Sequence, residues 1–211
     1  MELVTTLESS ISEVVQRAVQ ALHGGEIILY PTDTIYGLGV DATDKDAVAA
    51  LRDLKGRDER NPILIMLPSI DAIEEYAEMN DDAWRLAEAF LPGPLTLVLP
   101  AKKSVSYDLT FNRTIGIRVP NDPFCLALAE AFGKPITSTS ANRSGQETRG
   151  TVSEILGQFG FHAESIALAI DSGEKKGGKP STIVSCTDAG RVILREGSIS
   201  RSEIERTLRA A

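Results

Sequence analysis

Four short segments of the sequence combine positive charge with neutral hydrogen-bonding groups. Residues 30–39 (YPTDTIYGLG) place hydroxyl groups and a carboxylate directly after an apolar run of strand length. Residues 54–62 (LKGRDERNP) form a basic segment, and residues 114–120 (TIGIRVP) surround Arg118 with apolar side chains. Residues 137–145 (TSTSANRSG) are a run of short donors. Cations and neutral donors at strand ends predict a site for a polyanion and a small polar ligand.

Each segment taken alone has a simpler interpretation. The basic segment is typical of a solvated loop, and the Ser/Thr run is typical of a turn in which side chains cap backbone groups. Arg118 differs, because an arginine within a buried strand requires an anionic partner, and a carboxylate or a phosphate is the usual one. The combination of the four segments therefore favours a ligand site over four unrelated loops.

Two phosphate-binding motifs are nearly matched, and the context of each argues against them. Residues 173–179 approach the pattern G-x-x-x-x-G-K-[S/T], but Pro180 supplies no hydroxyl for magnesium and a predicted strand follows instead of a helix. Residues 37–42 match G-x-G-x-x-A, yet no helix opens there and acidic residues would face a pyrophosphate. We interpret these glycines as residues that permit a tight backbone path.

The composition excludes several other kinds of site. His23 and His162 are too few for a histidine metal cluster, and the sequence contains no G-x-S-x-G nucleophile motif. Cys125 and Cys186 lie far apart without a C-x-x-C pattern, which excludes a zinc ribbon or a disulfide scaffold. The net charge of −8 argues against a general nucleic-acid coat, because such a surface must neutralise phosphates over a wide area.

The sequence predicts a protein of the cytoplasm that is not inserted in a membrane. No apolar run approaches the roughly 20 residues of a membrane span, and residues 1–13 carry acids that a secretory signal lacks. At 211 residues the chain can bury a sizeable core, and no repeat or Pro/Gly/Ser-rich linker divides it. We therefore expect a single domain over residues 1–211.

Apolar periodicity and capping signals predict helices and strands that are interspersed along the chain. Ser10 with Glu13, and Ser200 with Glu203, form capping boxes that open the first and last helices. The predicted helices are 10–22, 44–54, 71–77, 81–90, 122–132 and 200–208. The predicted strands are 27–30, 63–67, 95–99, 115–119, 136–138, 166–170, 182–186 and 192–194. Residues 32–41 are predicted as a loop. Because several strands follow one another directly, we expect an α/β domain with a mixed sheet.

The four segments, together with residues 92–100 (PGPLTLVLP) and the later PSTIV and LREG stretches, resemble the YrdC-like family in their order along the chain. The resemblance spans about residues 10–200. It implies the short, single-domain form of the family. The implied fold is an α/β domain with a twisted mixed sheet and helices around a deep, positively lined cavity.

The resemblance also implies a reaction. Family members condense L-threonine, bicarbonate and ATP to threonylcarbamoyl-AMP and pyrophosphate, for the t6A modification of tRNA. The threonine amine would first become a carbamate, whose oxygen would then attack the α-phosphorus without a covalent enzyme intermediate. Mg²⁺ would accompany ATP, and tRNA and the threonylcarbamoyl-transferase proteins would be further partners.

Residue by residue, the resemblance assigns roles to positions within these motifs. The implied catalytic residues are Lys55, Arg57 and Arg118. The implied threonine contacts are Thr32, Thr34, Arg118, Ser138 and Ser181. The implied ATP contacts are Lys55, Arg57, Asn61, Thr114, Ser140, Asn142, Thr148 and Arg195. Many members carry His where this chain has Met66, so either a polar contact is missing or Met66 forms an apolar wall beside the threonine methyl.

Two other functions remain open at this point. A YrdC-like RNA-binding protein without this chemistry would gather its lysines and arginines on one face and would bind RNA in a salt-dependent manner without releasing pyrophosphate. A carbamoyl-transfer relative would use carbamoyl phosphate or another acyl donor. The substrates that support turnover distinguish both from the synthase.

Overall fold

The computed structural model describes residues 1–6, 9–56, 62–175, 178–187 and 190–209. These residues form an α/β fold in which helices pack against both faces of one mixed sheet. None of the helices in these ranges combines the length and the apolar character that a transmembrane helix requires.

The described residues contain ten strands, which join in the order β1-β8-β2-β3-β7-β4-β6-β5-β9-β10. The strands are β1 (Glu2–Thr5), β2 (Ile27–Tyr30), β3 (Gly37–Gly39), β4 (Leu64–Met66), β5 (Leu95–Pro100), β6 (Thr114–Arg118), β7 (Ile136–Ser140), β8 (Ile166–Asp171), β9 (Thr182–Thr187) and β10 (Gly190–Arg195). Strand β8 is parallel to β1 and β2, β4 is parallel to β6, and β5 is parallel to β9. The other neighbours are antiparallel, so the predicted mixed sheet is confirmed.

The helices begin where the sequence supplies capping groups. They are α1 (Ile11–His23), α2 (Lys45–Lys55), α3 (Ile73–Tyr76), α4 (Asp81–Phe90), α5 (Pro123–Phe132), α6 (Val152–Phe159) and α7 (Arg201–Arg209). The Ser10–Glu13 capping box is present, and the side chains of Asp44 and Asp122 accept from the first turns of α2 and α5. These contacts confirm the predicted helix starts.

Two hydrophobic cores lie on opposite faces of the sheet. Helices α2, α4, α6 and α7 contribute to the larger core, whereas α1 and α5 pack together on the other face against β1, β2 and β8. Along a strand, alternate residues point to the same face. By that alternation and by the strand register, Leu64, Gly116 and Thr96 lie on the α1/α5 face, at positions that these two helices do not cover. This uncovered half of the face is where the cavity lies.

Three elements differ from the sequence prediction. The predicted loop at 32–41 contains β3, and the sequence prediction missed β1 and α6. Strand β3 has two glycines in three residues and is held by pairing with β2 and β7, which local propensity does not report. A Cβ atom on Gly39 would lie 2.6 Å from the carbonyl oxygen of Thr137, so the predicted need for a tight backbone path is confirmed. Helix α6 begins with a Thr151–Glu154 capping box, a signal that is present in the sequence and that the prediction overlooked.

Candidate functional site

The uncovered half of the sheet forms the floor of a cavity of about 220 Å³. Strands β5, β6, β7 and β9 line it together with residues 32–37 and 180–181. Its polar lining is Thr32, Thr34, Tyr36, Thr96, Thr114, Arg118, Ser138, Thr139, Ser140, Ser181 and Arg195. Two arginines and many hydroxyl groups therefore meet here, and the described lining contains no carboxylate. The predicted positively lined cavity is confirmed.

Arg118 ends β6 and is buried, with only 7% of its side chain exposed. Its Nη2 forms an ion pair with Oδ1 of Asp33 at 2.5 Å, and its Nη1 donates to Oγ1 of Thr34 at 2.9 Å. A third, longer bond joins Nε to the carbonyl oxygen of Gly93 at 3.5 Å. The arginine in the apolar strand thus has the anionic partner that its burial requires, and that partner is Asp33.

The hydroxyl of Thr34 is oriented by a chain of hydrogen bonds. Thr32 Oγ1 donates to the carbonyl oxygen of Ile35 at 2.7 Å, so its single proton is committed. Thr34 Oγ1, 3.0 Å from Thr32 Oγ1, must therefore be the donor in that pair. Because Thr34 Oγ1 already accepts from Arg118, one of its lone pairs remains for a ligand N–H or O–H group. The backbone N–H groups of Thr34 and Ile35 also point at Thr32 Oγ1, at 3.1 and 3.3 Å, and share its two lone pairs with the Thr34 hydroxyl, so Thr32 positions Thr34.

Ser138 lies in β7, opposite Leu64 of β4, and lines the cavity floor. The adjacent Tyr30 is buried, and its hydroxyl lies 3.4 Å from the carbonyl oxygen of Thr137. Burial is the main cause that raises the pKa of Tyr30 well above its usual value, so this phenol stays protonated and neutral beside the arginine. The Ser138 hydroxyl adds a neutral hydrogen-bonding group to the cavity floor, two residues along β7 from the level of Arg118.

Ser181 joins Arg195 to Thr96 at the cavity. Its hydroxyl lies 2.8 Å from that of Thr96, which is on β5, and its carbonyl oxygen accepts from Nη2 of Arg195 at 2.8 Å and from Nε at 3.2 Å. These contacts hold Arg195 at the cavity edge with part of its guanidinium still able to bind a ligand.

The electrostatics of the cavity favour anions. Burial lowers the pKa of Arg195, and the positive charge of Arg118 lowers it further. Arginine remains charged in proteins in spite of such shifts. The lowered pKa of Arg195 therefore reflects the free-energy cost of a positive charge that is partly desolvated and close to the charge of Arg118. A bound anion would reduce this cost.

Three of the implied ATP contacts, Thr114, Ser140 and Arg195, line the same cavity. Thr114 begins β6 and Ser140 ends β7, at the side of the cavity away from Asp33. Ser140 donates a short hydrogen bond to Oδ1 of Asn142, whose Nδ2 donates to the carbonyl oxygens of Arg143 and Gln146 at 3.0 Å and 2.6 Å. Asn142 thus holds the turn that follows β7 and does not belong to the described lining of the cavity.

Lys55 occupies a different position from the one that a phosphate contact suggests. It is 2% exposed, and its Nζ donates to the carbonyl oxygens of Ser140 and, at 2.7 Å, Asn142. Its own carbonyl oxygen accepts from the backbone of Ser144 at 2.9 Å. In this structure Lys55 joins the end of α2 to the turn after β7, so its contact with phosphate stays a prediction.

The remaining implied ATP contacts are not brought to the cavity by the described residues. Thr148 is exposed in the loop before α6 and does not belong to the described lining. Arg57 and Asn61 lie outside the described residues. Their roles therefore stay predictions.

Met66 lies on the cavity face of β4, directly opposite Arg118 in the strand register. It is only 1% exposed and packs in the α1/α5 core with Tyr30 and Phe124. It is absent from the described lining of the cavity. The structure therefore does not support Met66 as an apolar wall beside the ligand.

Sequence reasoning missed three residues that shape the site. Asp33 holds Arg118, Thr96 holds Ser181, and the hydroxyl of Tyr36 donates to the carbonyl oxygen of Gly173 at 2.7 Å. The signals were present, because Asp33 and Tyr36 lie within the first motif and Thr96 interrupts an apolar strand. Each acts on another protein group, a role that the sequence pattern did not reveal.

A protein-bound metal centre is absent from the described part of the chain. No three of its His, Cys, Asp and Glu side chains come together at a distance that could hold an ion.

Comparison with known proteins identifies the family of this chain. The Sua5_yciO_yrdC family model, described as telomere recombination, matches residues 20–197. A threonylcarbamoyl-AMP synthase of Pyrococcus abyssi is 34% identical over 99% of this chain and 61% of its own length. A putative threonylcarbamoyl-AMP synthase of Methanocaldococcus jannaschii is 34% identical over 94% of this chain and 93% of its own. The chain thus spans about three fifths of the first relative and almost all of the second.

Solved structures agree with these relatives. The crystal structure of P. abyssi Sua5 complexed with L-threonine has a TM-score of 0.89 at 33% identity, covering 98% of this chain and 60% of that one. The crystal structure of E. coli YciO has a TM-score of 0.85 at 29% identity, covering 96% and 98%. The sequence relatives bear the names of enzymes, and the folds superpose over nearly the whole chain. The chain belongs to the Sua5/YciO/YrdC family.

Proposed function

We propose that this chain is a threonylcarbamoyl-AMP synthase, a nucleotidyltransferase that acts on L-threonine, bicarbonate and ATP. The observation that carries the proposal is the buried Arg118, which opens into a cavity lined by hydroxyl groups. Two relatives that match more than nine tenths of this chain bear the synthase name. A related structure holds L-threonine.

The amino-acid end of the cavity fits the α-carboxylate and amine of threonine. In the described chain, Arg118 uses three of its five N–H groups on Asp33, Thr34 and Gly93. The other two can hold a carboxylate through parallel hydrogen bonds. Thr34 offers a lone pair to the amine or the hydroxyl of the ligand. The groups that must react are thereby fixed in orientation before ATP is attacked.

The chemical step is a displacement at phosphorus. The carbamate oxygen formed on the threonine amine bonds to the α-phosphorus, the bond to the bridging oxygen breaks, and that oxygen leaves with pyrophosphate. Charge accumulates on the phosphate oxygens during this step, and fixed cations stabilise it. Arg195 at the cavity edge is positioned for this role, and we assign the same role to Lys55 and Arg57 as a prediction.

Mg²⁺ is part of the proposal as a companion of ATP. The described residues bring no three of their acidic, histidine or cysteine side chains together to hold an ion, and the described lining has no carboxylate. Such a site fits an ion held by the ATP phosphates and water, as magnesium often is. When bound, the ion would neutralise phosphate charge.

The test is mass spectrometry of the products formed from L-threonine, bicarbonate and ATP. We expect threonylcarbamoyl-AMP and pyrophosphate in equal amounts, and neither product when any one substrate is omitted. Replacement of bicarbonate and ATP by carbamoyl phosphate tests the carbamoyl-transfer function. Salt-dependent RNA binding with no pyrophosphate under any substrate mixture would contradict the proposal in favour of the RNA-binding function. We also propose that the product is passed to the proteins that modify tRNA.

A further inference from the structure

The ion pair between Asp33 and Arg118 carries an inference that rests on the proposed function. Asp33 follows β2 and Arg118 ends β6, so the pair joins two segments that are 85 positions apart in sequence. Both side chains are nearly buried, at 10% and 7% exposure. Asp33 is not part of the described lining, whereas Arg118 is. The Asp33 carboxylate therefore contacts Arg118 from outside the described lining of the cavity.

Both oxygens of Asp33 are in use. Oδ1 accepts from Nη2 of Arg118, and Oδ2 accepts from the backbone N–H of Asn121 at 3.2 Å. The second bond ties the carboxylate to the segment that leads into α5. Asp33 is thus fixed in position, and it fixes one edge of the guanidinium in turn.

Thr34 fixes the adjacent terminal nitrogen. Its Oγ1 accepts from Nη1 of Arg118, and its orientation depends on Thr32. With one N–H group of each terminal nitrogen held, the plane of the guanidinium is determined by protein atoms. One N–H group on each terminal nitrogen is then left for a ligand carboxylate, and the plane in which these groups lie does not depend on the ligand.

We propose that Asp33 is a positioning residue that holds the Arg118 guanidinium for the carboxylate of the amino-acid substrate. It does not touch the substrate itself. It also balances the buried positive charge, so that Arg118 remains in place when the cavity contains no ligand. The opposite role for Asp33 is competition. A carboxylate that merely competed with the substrate for Arg118 would weaken substrate binding. The two effects predict changes of opposite sign when Asp33 is altered.

Asp33→Asn is the informative variant. The asparagine amide keeps one oxygen and replaces the other by an N–H₂ donor, so it can satisfy either Arg118 or Asn121 but not both. Asp41→Asn is the matched control. Asp41 is equally buried, pairs with Lys134 at 2.9 Å and does not belong to the described lining.

The experiment measures the binding of L-threonine and of ATP separately by calorimetry, and thermal unfolding, for the unmodified protein and both variants. Loss of one charge-assisted interaction should weaken threonine binding by roughly tenfold to a hundredfold in Asp33→Asn. ATP binding should stay within about twofold in that variant. Asp41→Asn should lose thermal stability with no change in either affinity. A merely structural role for Asp33 would weaken both ligands together or neither.

Three calorimetric results would overturn the positioning role. Tighter threonine binding in Asp33→Asn would identify Asp33 as a competitor, equal losses for threonine and ATP would identify a general structural defect, and two unchanged affinities would show that Arg118 does not need Asp33. If the unmodified protein binds no threonine, the proposed function fails. The positioning role is then decided by the ¹⁵N–¹H signals of the Arg118 side chain, which should be slowly exchanging in the ligand-free protein and lost in Asp33→Asn. Unchanged signals would overturn it.

Discussion

The two ends of the cavity are built in different ways. At the proposed amino-acid end, Arg118 and Ser138 lie on strands, and the two side chains that bind Arg118, those of Asp33 and Thr34, come from the short segment between β2 and β3. At the nucleotide end, Ser140 and Asn142 bind each other, and Lys55 binds the backbone of both. The amino-acid end is built around the Arg118 side chain, which faces the cavity. The nucleotide end is built around the turn after β7, whose residues bind one another and Lys55.

This difference teaches which part of the site is complete without a ligand. The amino-acid end has a fixed guanidinium and a hydroxyl whose proton direction is determined by neighbours. At the proposed nucleotide end, Thr114, Ser140 and Arg195 line the cavity, while Lys55 binds backbone carbonyl oxygens of the turn after β7 and is not in the described lining. We therefore expect threonine to bind a preformed pocket and ATP binding to depend more on the turn after β7.

The largest effect should come from Arg118→Lys. A lysine ammonium keeps the charge but cannot contact Asp33, Thr34 and a ligand carboxylate in the plane that the guanidinium provides. We expect threonine-dependent turnover to fall by a hundredfold or more, about 3 kcal/mol, with ATP binding by the unreacted enzyme nearly intact. Calorimetric titration of each ligand separates the two ends.

Arg191→Lys serves as its control, because Arg191 is half exposed and pairs with Asp82 away from the cavity. That variant should keep both affinities. If Arg118→Lys loses ATP binding and retains threonine binding, Arg118 belongs to the nucleotide end. The difference described between the two ends of the cavity would then be wrong.

Gly178→Ala should give the next largest effect. A Cβ atom at position 178 would lie 2.2 Å from the carbonyl oxygen of Thr34, so either the loop or the threonine segment must move. We expect threonine binding to weaken by about tenfold or more, because displaced binding groups lose their alignment. Isothermal titration with threonine measures the loss.

Gly157→Ala is the matched control for that substitution. Gly157 lies within α6, and a Cβ atom added there would meet no atom within 4 Å. An alanine at this position should stabilise the helix by up to about 1 kcal/mol. It should leave threonine binding unchanged. If Gly178→Ala binds threonine as well as Gly157→Ala does, the backbone near Thr34 does not determine the amino-acid end.

Lys55→Ala should have two effects of intermediate size. The carbonyl oxygens of Ser140 and Asn142 lose a buried donor, which should lower the free energy of unfolding by about 1–3 kcal/mol. Pyrophosphate release should also fall, by less than in Arg118→Lys, because the turn at the proposed nucleotide end loses the Lys55 hydrogen bonds. Thermal unfolding and a pyrophosphate assay, run on the same preparation, test both expectations.

A loss of pyrophosphate release without any loss of stability would point to a direct phosphate contact for Lys55. Unchanged turnover would remove Lys55 from the site altogether. Threonine binding should be altered least, since none of the Lys55 contacts described above involves Asp33 or Thr34.

The agreement between the sequence prediction and the structure also differs between the two ends of the cavity. The position of Arg118 could be predicted because an arginine in an apolar strand has few explanations. The role of Asp33 could not, because its ion pair is set by the sheet topology, which brings β2 and β6 to the same cavity. The buried position of Lys55 was likewise hidden, since a lysine in a polar segment gives no sign that backbone carbonyls will surround it.

Most of the fold was accessible from the sequence, and the exceptions have physical causes. Helices α1, α2 and α5 follow from capping groups and apolar periodicity. Strand β3 did not, because its two glycines have low strand propensity and only pairing on both sides makes it a strand. The position of Met66 in the core depends on the packing of α5, which no local pattern reports.

The smallest predicted effect concerns the acid stability of the Asp41–Lys134 pair. Burial would raise the pKa of Asp41, but the hydrogen bonds from Lys134 and Thr43 outweigh it and lower this pKa below its usual value. The stabilisation is therefore present above the unfolded-state pKa and is lost as the pH falls through the folded-state pKa. The difference in melting temperature between the unmodified protein and Asp41→Asn should shrink from pH 7 to pH 3. A difference that grows in acid would contradict this assignment.

The central claim is that a preformed guanidinium, held by Asp33 and Thr34, receives the carboxylate of threonine. A crystal structure of this chain with L-threonine and a non-hydrolysable ATP analogue tests it most directly. We predict the threonine carboxylate within hydrogen-bond distance of the free N–H groups of Arg118, with the Asp33 and Thr34 contacts retained. A threonine carboxylate that displaces Asp33, or that binds away from Arg118, would contradict the claim.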